Sequence, residues 1–586
     1  MFKEAVSHRA DRVDAYALNE KELHIRLKTK KQDVQGVDLL IGDPYDWSEG
    51  SWNFTSISMT KSGSDQLFDY WTANVEPEYK RLRYGFSLYN KKESVFYGEK
   101  GFHHSPPEDI GEYFCFPYIN KADIFRAPEW VKNTVWYQIF PERFANGDQS
   151  LDPKGTKPWG SEDPKVDSFF GGDLQGVLDH LDYLQDLGIS GIYFTPIFKA
   201  SSNHKYDTID YFEIDEQFGD KKKLKELIGE CQKRGIRVML DAVFNHSGYY
   251  FPPFQDVLEK GEASRYKDWF HLWDFPVQIS PDPNYDTFGF THTMPKFNTE
   301  NPEVKNYLLE TGRYWAREFN IDGWRLDVAN EVDQAFWREF RSEVKSINPD
   351  LYILGEIWHD SIPWLKGDQF DAVMNYPLSN NIHRLFARRD LTVKEFVENM
   401  TRVQHMYPEN INQVTFNLIG SHDTPRILTE CQEDPVRLKQ IFSILLTFYG
   451  TPCIYYGDEI GLTGDQDPGC RKCMEWDETK QDRMLRDHVQ RLIQLRKNEP
   501  LLANEGNLIF LPSDLSEQSI GYTRSDDNNT ILVLLNVSDK KDHVKLPINY
   551  KQQDAIDLLS GNTIDWKHGK FTLQPMETKI IKLHHQ

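Results

Sequence analysis

Short runs in which apolar and polar residues alternate fill the first 125 positions. ELHIRLKT, VDLLIGD, YWTANVE and LRYGFSLYN are separated by Gly, Pro, Asn and Asp, and no helical period is sustained. That pattern predicts an N-terminal β-sandwich over residues 1–125. ADIFRAPEWVKN (122–133) reads as a connector punctuated by Pro128. From Val135 the texture changes to near-continuous apolar runs: VWYQIFPERF (135–144), GISGIYFTPIF (188–198), IRVMLDAVFNH (236–246) and IDGWRLDVA (321–329). LYILGEIW (351–358), DAVMNYPL (371–378), VTFNLIGSHD (414–423) and PCIYYGDE (452–459) continue the series. Helical patterns such as KKLKELIGECQKRG and PEVKNYLLETGRYWAREFN lie between them. Eight strands apolar on both faces, alternating with helices, predict an α/β fold, a (β/α)8 TIM barrel, over residues 126–503. Residues 247–300 interrupt the alternation at too great a length for a loop, so an inserted domain is predicted there. From about Asn504 the runs LIFLP, SIGYTR, TILVLLNV and HVKLP predict a C-terminal antiparallel β-domain, a second sandwich, over residues 504–586.

Composition narrows the class. With 39% hydrophobic and 27% charged residues the chain is of ordinary globular type. No stretch reaches the eighteen or so apolar residues of a membrane span. The opening residues MFKEAVSHRADRVDAY hold no apolar signal core, so a cytoplasmic location is expected. The formal net charge of −23 opposes nucleic-acid binding, which rewards basic patches, and is indifferent to a neutral substrate. Six cysteines do not make a disulfide framework. Cys470 and Cys473 form a lone CxxC in PGCRKCM; zinc needs about four ligands, so these read as loop thiols. Aromatic residues make up 13% of the chain and sit in polar stretches such as YYFPPF (249–254) and NYDTFGF (284–290), where ring faces suit sugar stacking.

The chemistry lies at the ends of the barrel strands. The third candidate strand ends in Asp241, Asn245 and His246, the fourth in Arg325 and Asp327, the fifth in Glu356, and the seventh in His422 and Asp423. Strand C-termini converge on one mouth of a barrel, where active sites are built. Three carboxylates, two imidazoles and a guanidinium can therefore meet despite wide sequence separation. A lone strand-end acid is more often a cap or an ion-pair partner, but three on separate strands, with His and Arg beside them, suit glycoside hydrolysis, which needs a nucleophilic carboxylate and a proton-donating acid.

DAVFNH (241–246), GWRLDVANE (323–331), GEIW (355–358) and GSHDTPR (420–426) resemble, in order, the four signature regions of the α-amylase family. MPKFN (294–298) resembles a further region in the form found in neopullulanases, cyclomaltodextrinases and maltogenic amylases, and the N-terminal β-domain joined to VANE fits that subgroup. The resemblance implies retaining hydrolysis of α-glucosidic bonds, with Asp327 as nucleophile, Glu356 as general acid and then base, and Asp423 stabilising the transition state. It implies that Arg325 keeps Asp327 ionised, that His246 and His422 bind sugar hydroxyls, and that Tyr206 stacks beneath the reacting sugar. Trp358 would be a platform on the acceptor side. The substrates implied are cyclomaltodextrins, pullulan, maltooligosaccharides and starch, with transglycosylation as a second outcome.

RFANGDQSLDP (143–153) and FFGGDLQG (169–176) suggest a calcium site, since hard Ca2+ takes six to eight oxygens. Asn146, Asp148, Asp152 and Asp173 offer side chains, and Leu151 and Gly171 offer carbonyls. Leu151 departs from relatives, which often carry Asn there. An Asx-rich turn without metal is the rival reading. The N-terminal domain resembles glucan-binding and dimerisation modules, so a homodimer is expected. The rival functions are an oligo-1,6-glucosidase or α-glucosidase, disfavoured by the N-terminal domain and MPKFN, and a non-catalytic amylase-like subunit, disfavoured by the intact carboxylates.

Overall fold

The computed structural model describes residues 1–546, 555–564 and 570–584. They divide into two compact units.

The first unit comprises residues 1–126, 391–413 and 507–586. Its N-terminal part is a sandwich of two antiparallel sheets. One is built on Leu23–Lys30 and Phe68–Val75, the other on Gly36–Gly42 and Leu82–Tyr89. Alternate residues of these strands, among them Leu23, Ile25, Leu27, Leu39, Tyr84, Phe86 and Leu88, face inward and form one core. The C-terminal part is a five-stranded antiparallel sheet centred on Asn529–Asn536 and Thr578–His584, with a two-stranded ribbon, Asp542–Lys545 with Lys570–Leu573.

Residues 391–413 lie within the stretch that the sequence assigns to the barrel, yet they pack in this first unit. Their helix, Val393–Gln404, opens with a capping box of Thr392 and Glu395 and buries Phe396, Val397, Met400 and Val403. Lys31 Nζ reaches Glu398 Oε1 at 2.6 Å, and Arg26 Nη1 donates to the His405 carbonyl at 2.5 Å. A 3.6-residue period announces an apolar face but not the sheet that it will cover.

The second unit, residues 127–390 and 414–506, is the barrel. Its strands are β1 (Trp136–Ile139), β2 (Gly191–Phe194), β3 (Arg237–Ala242), β4 (Gly323–Leu326), β5 (Tyr352–Gly355), β6 (Ala372–Val373), β7 (Phe416–Leu418) and β8 (Thr451–Tyr455). Each pairs in parallel with its neighbour, and β8 pairs with β1. A single parallel bridge, Met374 to Phe416, joins β6 to β7 and closes the ring. Apart from Arg237 at the start of β3, every strand residue is buried, which accounts for the apolar runs in the sequence. The 247–300 insertion holds the helix Pro252–Lys260 and a hairpin of Thr287–Phe288 with Thr291–Pro295.

Candidate active site

The site is organised by one guanidinium. Arg325 projects from β4, whose register sets it opposite Asp241 of β3 and Leu354 of β5. Fully buried, it places Nη1 2.7 Å from Asp327 Oδ1 and 3.0 Å from Asp241 Oδ2, while Nη2 lies 2.9 Å from Glu356 Oε2. Arg325 and Asp327 reach the same place because alternate residues of a strand share a face. Glu356, just past β5, accepts the Val328 N–H at 3.0 Å through Oε2 and the Trp358 indole N–H at 3.2 Å through Oε1.

Burial governs the titration of Asp327, Asp241 and Asp423. It pushes the Asp327 carboxyl well above its ordinary range; Arg325 opposes this, and Glu356 and Asp241 reinforce it. Burial likewise lifts Asp241 to about 6 against the pull of Arg325, and raises Asp423 against the pull of Arg471. Arg325 therefore acts on Asp327 in the expected direction, but against a larger desolvation.

A second chain of contacts crosses the mouth. The Gln138 amide nitrogen, from β1, lies 2.8 Å from His422 Nδ1, and His422 Nε2 lies 2.7 Å from the Tyr206 hydroxyl. The amide can only donate, so the ring proton sits on Nε2; the Tyr206 hydroxyl accepts it and donates to Asp241 Oδ2 at 3.0 Å. The Tyr206 and His422 rings are parallel to within 3° at 5.3 Å. Burial pushes His246 down to about 3 and His422 well below its usual value, so both rings are neutral.

Asp327, Glu356, Asp423, Tyr206, His246, His422 and Trp358 all line one cavity of about 500 Å³; Arg325 is fully buried and touches it only through Asp327 and Glu356. Trp358 is half exposed and lies flat on Tyr376, 3.6 Å between ring centres. Among the lining residues that the sequence did not single out are Asp467 and Arg471, joined at 3.0 Å, with Arg471 Nη2 3.4 Å from Asp423 Oδ1. Arg471 sits inside PGCRKCM, where the two thiols drew notice; an arginine between two cysteines carries no pattern of its own. Cys470 is a structural thiol, its Sγ 3.2 Å from the His422 carbonyl, and all six cysteines are free. Phe288, in the insertion hairpin, also lines the cavity and stacks on His246 at 5.1 Å.

The six residues with calcium-binding potential lie apart from this cavity. Gly171 adopts φ +84°, and a side chain there would collide with Asp152 Oδ1 and Asn146 Nδ2, so these three residues converge closely. Asn146 Oδ1 is buried and has no hydrogen-bond partner among the described residues. Asp173 caps the helix Leu174–Asp179 and accepts N–H bonds from Gly147, Asp148 and Gly176. The Asp148 carboxylate accepts from Ser150. The Leu151 side chain lies near Gly219 and, being alkyl, offers no donor, so only its carbonyl could meet a metal. The orphaned Asn146 oxygen is what a hard cation would satisfy, but Asp152 Oδ1 accepts the Asn146 amide at 2.8 Å and, among the described residues, no three carboxylates, imidazoles or thiols gather closely enough to hold a metal by themselves.

Residues 138–501 match the family model described as the α-amylase catalytic domain, residues 1–120 its N-terminal Ig-like domain, and residues 508–580 the maltogenic amylase C-terminal domain. The chain belongs to the α-amylase family. It is 63% identical over 585 residues to a maltogenic α-amylase of Bacillus acidopullulyticus, covering 98% of this chain and all of that one. Neopullulanase 2 of Thermoactinomyces vulgaris is 45% identical over 587 residues, covering 99% of each. A solved cyclomaltodextrinase superposes with a TM-score of 0.94 at 49% identity over the whole of both chains. This α-amylase family member is thus a glycoside hydrolase of the neopullulanase, cyclomaltodextrinase and maltogenic amylase subgroup.

Proposed function

We propose that the cavity hydrolyses α-1,4 bonds, and some α-1,6 bonds, in cyclomaltodextrins, pullulan, maltooligosaccharides and starch, with retention of configuration. One observation carries this reading. Asp327 and Glu356 sit on the two terminal nitrogens of one guanidinium. That arrangement favours the short separation of retaining glycosidases, about 5 Å, over the wider gap that inverting enzymes leave for water. Asp327 attacks the anomeric carbon, and Glu356 protonates the leaving oxygen, then deprotonates the incoming water or sugar hydroxyl. Asp423, with His246 and His422, holds the hydroxyls of the reacting ring, and Tyr206 offers its face beneath. The exposed face of Trp358 stacks an acceptor sugar. Proton NMR of maltotriose hydrolysis in its first minutes tests the assignment: α-anomeric products support it, and β-anomer as the first product overturns it.

Three further elements belong to the same reading. Ca2+ held by Asn146, Asp148, Asp152 and Asp173, with the carbonyls of Leu151 and Gly171, stabilises the loop after β1. A homodimer, in which the N-terminal domain of one chain narrows the barrel mouth of its partner, favours cyclomaltodextrin over soluble starch; light scattering and rates on both substrates test it, and a monomer that prefers starch refutes it. Six free thiols suit the reducing cytoplasm, and among the described residues no helix is long and apolar enough to cross a membrane.

A further inference from the structure

His246 presents a problem of proton placement. Its ring belongs to the cavity wall, buried against Phe288, and Nε2, itself buried, makes no hydrogen bond among the described residues. The neighbouring nitrogen, Nδ1, lies 3.2 Å from the amide nitrogen of Asn245. An amide NH2 only donates, so Nδ1 must accept and the single ring proton must sit on Nε2. The tautomer thus depends on which way the Asn245 amide faces.

Lys296 decides that. The strand carrying MPKFN runs antiparallel to residues 245–247, with Lys296 bridged to His246 and with Ser247 N–H on the Pro295 carbonyl at 3.1 Å and Phe297 N–H on the Asn245 carbonyl at 3.0 Å. From there the Lys296 ammonium donates to Asn245 Oδ1, and to the Glu331 carbonyl and carboxylate at 3.2 and 3.1 Å. An ammonium has three donors and no lone pair. A flipped Asn245 would set NH2 against NH3+ and turn its oxygen to Nδ1, moving the ring proton to Nδ1 and leaving Nε2 a bare acceptor.

We propose that Lys296 is a positioning residue that fixes, through the Asn245 amide, the tautomer of His246 presenting an Nε2–H donor to the cavity. The rest of the cavity explains why a donor is wanted. Asp423 offers a carboxylate to the reacting ring, and a sugar hydroxyl that donates to a carboxylate needs a donor for its own oxygen. The groups facing the ring from the 201–208 loop are the Asp207 carboxylate, the His204 ring and the Tyr206 carbonyl. The Tyr206 carbonyl is an acceptor for the ring itself, whereas the Asn245 amide oxygen is held by Lys296, so Lys296→Met separates the two influences.

The inference rests on the cavity being a sugar site, but its main test does not. Nitrogen NMR of the full-length protein labelled with 15N-histidine, with the His246 signals assigned by loss in His246→Gln, reads the tautomer without substrate. The wild type is expected to carry its proton on Nε2. Lys296→Met should give a mixture of tautomers and lower kcat/KM for maltotriose about tenfold, the effect of one hydrogen bond. Asn245→Asp gives a second route: a carboxylate keeps the ion pair with Lys296 but only accepts, so the proton must move to Nδ1 and activity must fall at least as far. A folded Lys296→Met or Asn245→Asp protein that still holds its proton on Nε2 overturns the proposal. Tautomers that shift as expected without loss of activity leave the Lys296 relay standing and refute the sugar-binding role of His246 instead.

Discussion

The Val328 N–H donates to Glu356 Oε2 from a left-handed backbone, φ 45° and ψ 42°, on a β-branched residue directly after Asp327. Such a conformation costs a β-branched side chain about 1–2 kcal/mol, and strain of this kind persists where the surroundings enforce it. Val328→Gly should therefore be neutral or stabilising by up to about 1 kcal/mol, against the usual penalty for glycine. Urea denaturation of the two proteins checks the sign.

Arg325 faces three carboxylates in a buried setting. Removing the cation leaves them uncompensated, so Arg325→Met should destabilise the barrel by about 3–5 kcal/mol as well as abolish turnover. Arg325→Lys keeps the charge but not the fork, and should recover stability more than activity. Thermal unfolding alongside maltotriose rates separates the two.

Asp327→Asn, Glu356→Gln and Asp423→Asn should each lose at least about a thousandfold in kcat while remaining folded, because nucleophile, acid and stabiliser act as one unit. Near-native turnover by Glu356→Gln would remove that residue from its role.

His8, in the N-terminal sandwich, is pushed down to about 4 by burial. Its nitrogens meet the Arg26 carbonyl at 2.6 Å and the Tyr84 hydroxyl at 2.9 Å, which suits a neutral ring. The unfolded chain binds the proton near pH 6.5 and the folded one near 4. The neutral ring's contribution is thus fully present above about pH 6.5 and is lost as pH falls towards 4, about 3 kcal/mol in all. His8→Gln does not titrate, so its unfolding free energy should fall less steeply between those values.

Chelation should lower the melting temperature more than the initial rate, since ligand binding stabilises the folded state and none of the six metal-site residues lines the cavity. An unchanged melting temperature after exhaustive chelation, with no metal by elemental analysis, would remove calcium from the protein.

The barrel was legible because parallel strands buried on both faces leave apolar runs, and four of those runs, the third, fourth, fifth and seventh, ended at the chemistry. Asp327, Glu356 and Asp423 stood at such ends and converged as the fold requires. Arg471 and Asp467 did not, because they arrive on an irregular loop after β8, where no period marks which side chain turns inward. Lys296 stood in a recognised motif, but its contact with Asn245 depends on a strand pairing 51 residues away that spacing cannot reveal. The departure of the helix Val393–Gln404 from the barrel was hidden for the same reason: its apolar stripe would have suited either sheet.

The closure of the ring between β6 and β7 has a mechanical consequence. A cylinder parts at its thinnest seam, and here the seam is one bridge, Met374 to Phe416, reinforced by the Asn375 N–H on the Phe416 carbonyl at 2.8 Å and by the Asn375 and Asn417 side chains at 2.9 Å. Glu356 stands on the β5 side of that seam and Asp423 on the β7 side. The two lips of the catalytic mouth are thus fastened to each other by two asparagines, whereas continuous strand pairing of β3, β4 and β5 holds the Arg325 cluster as a block.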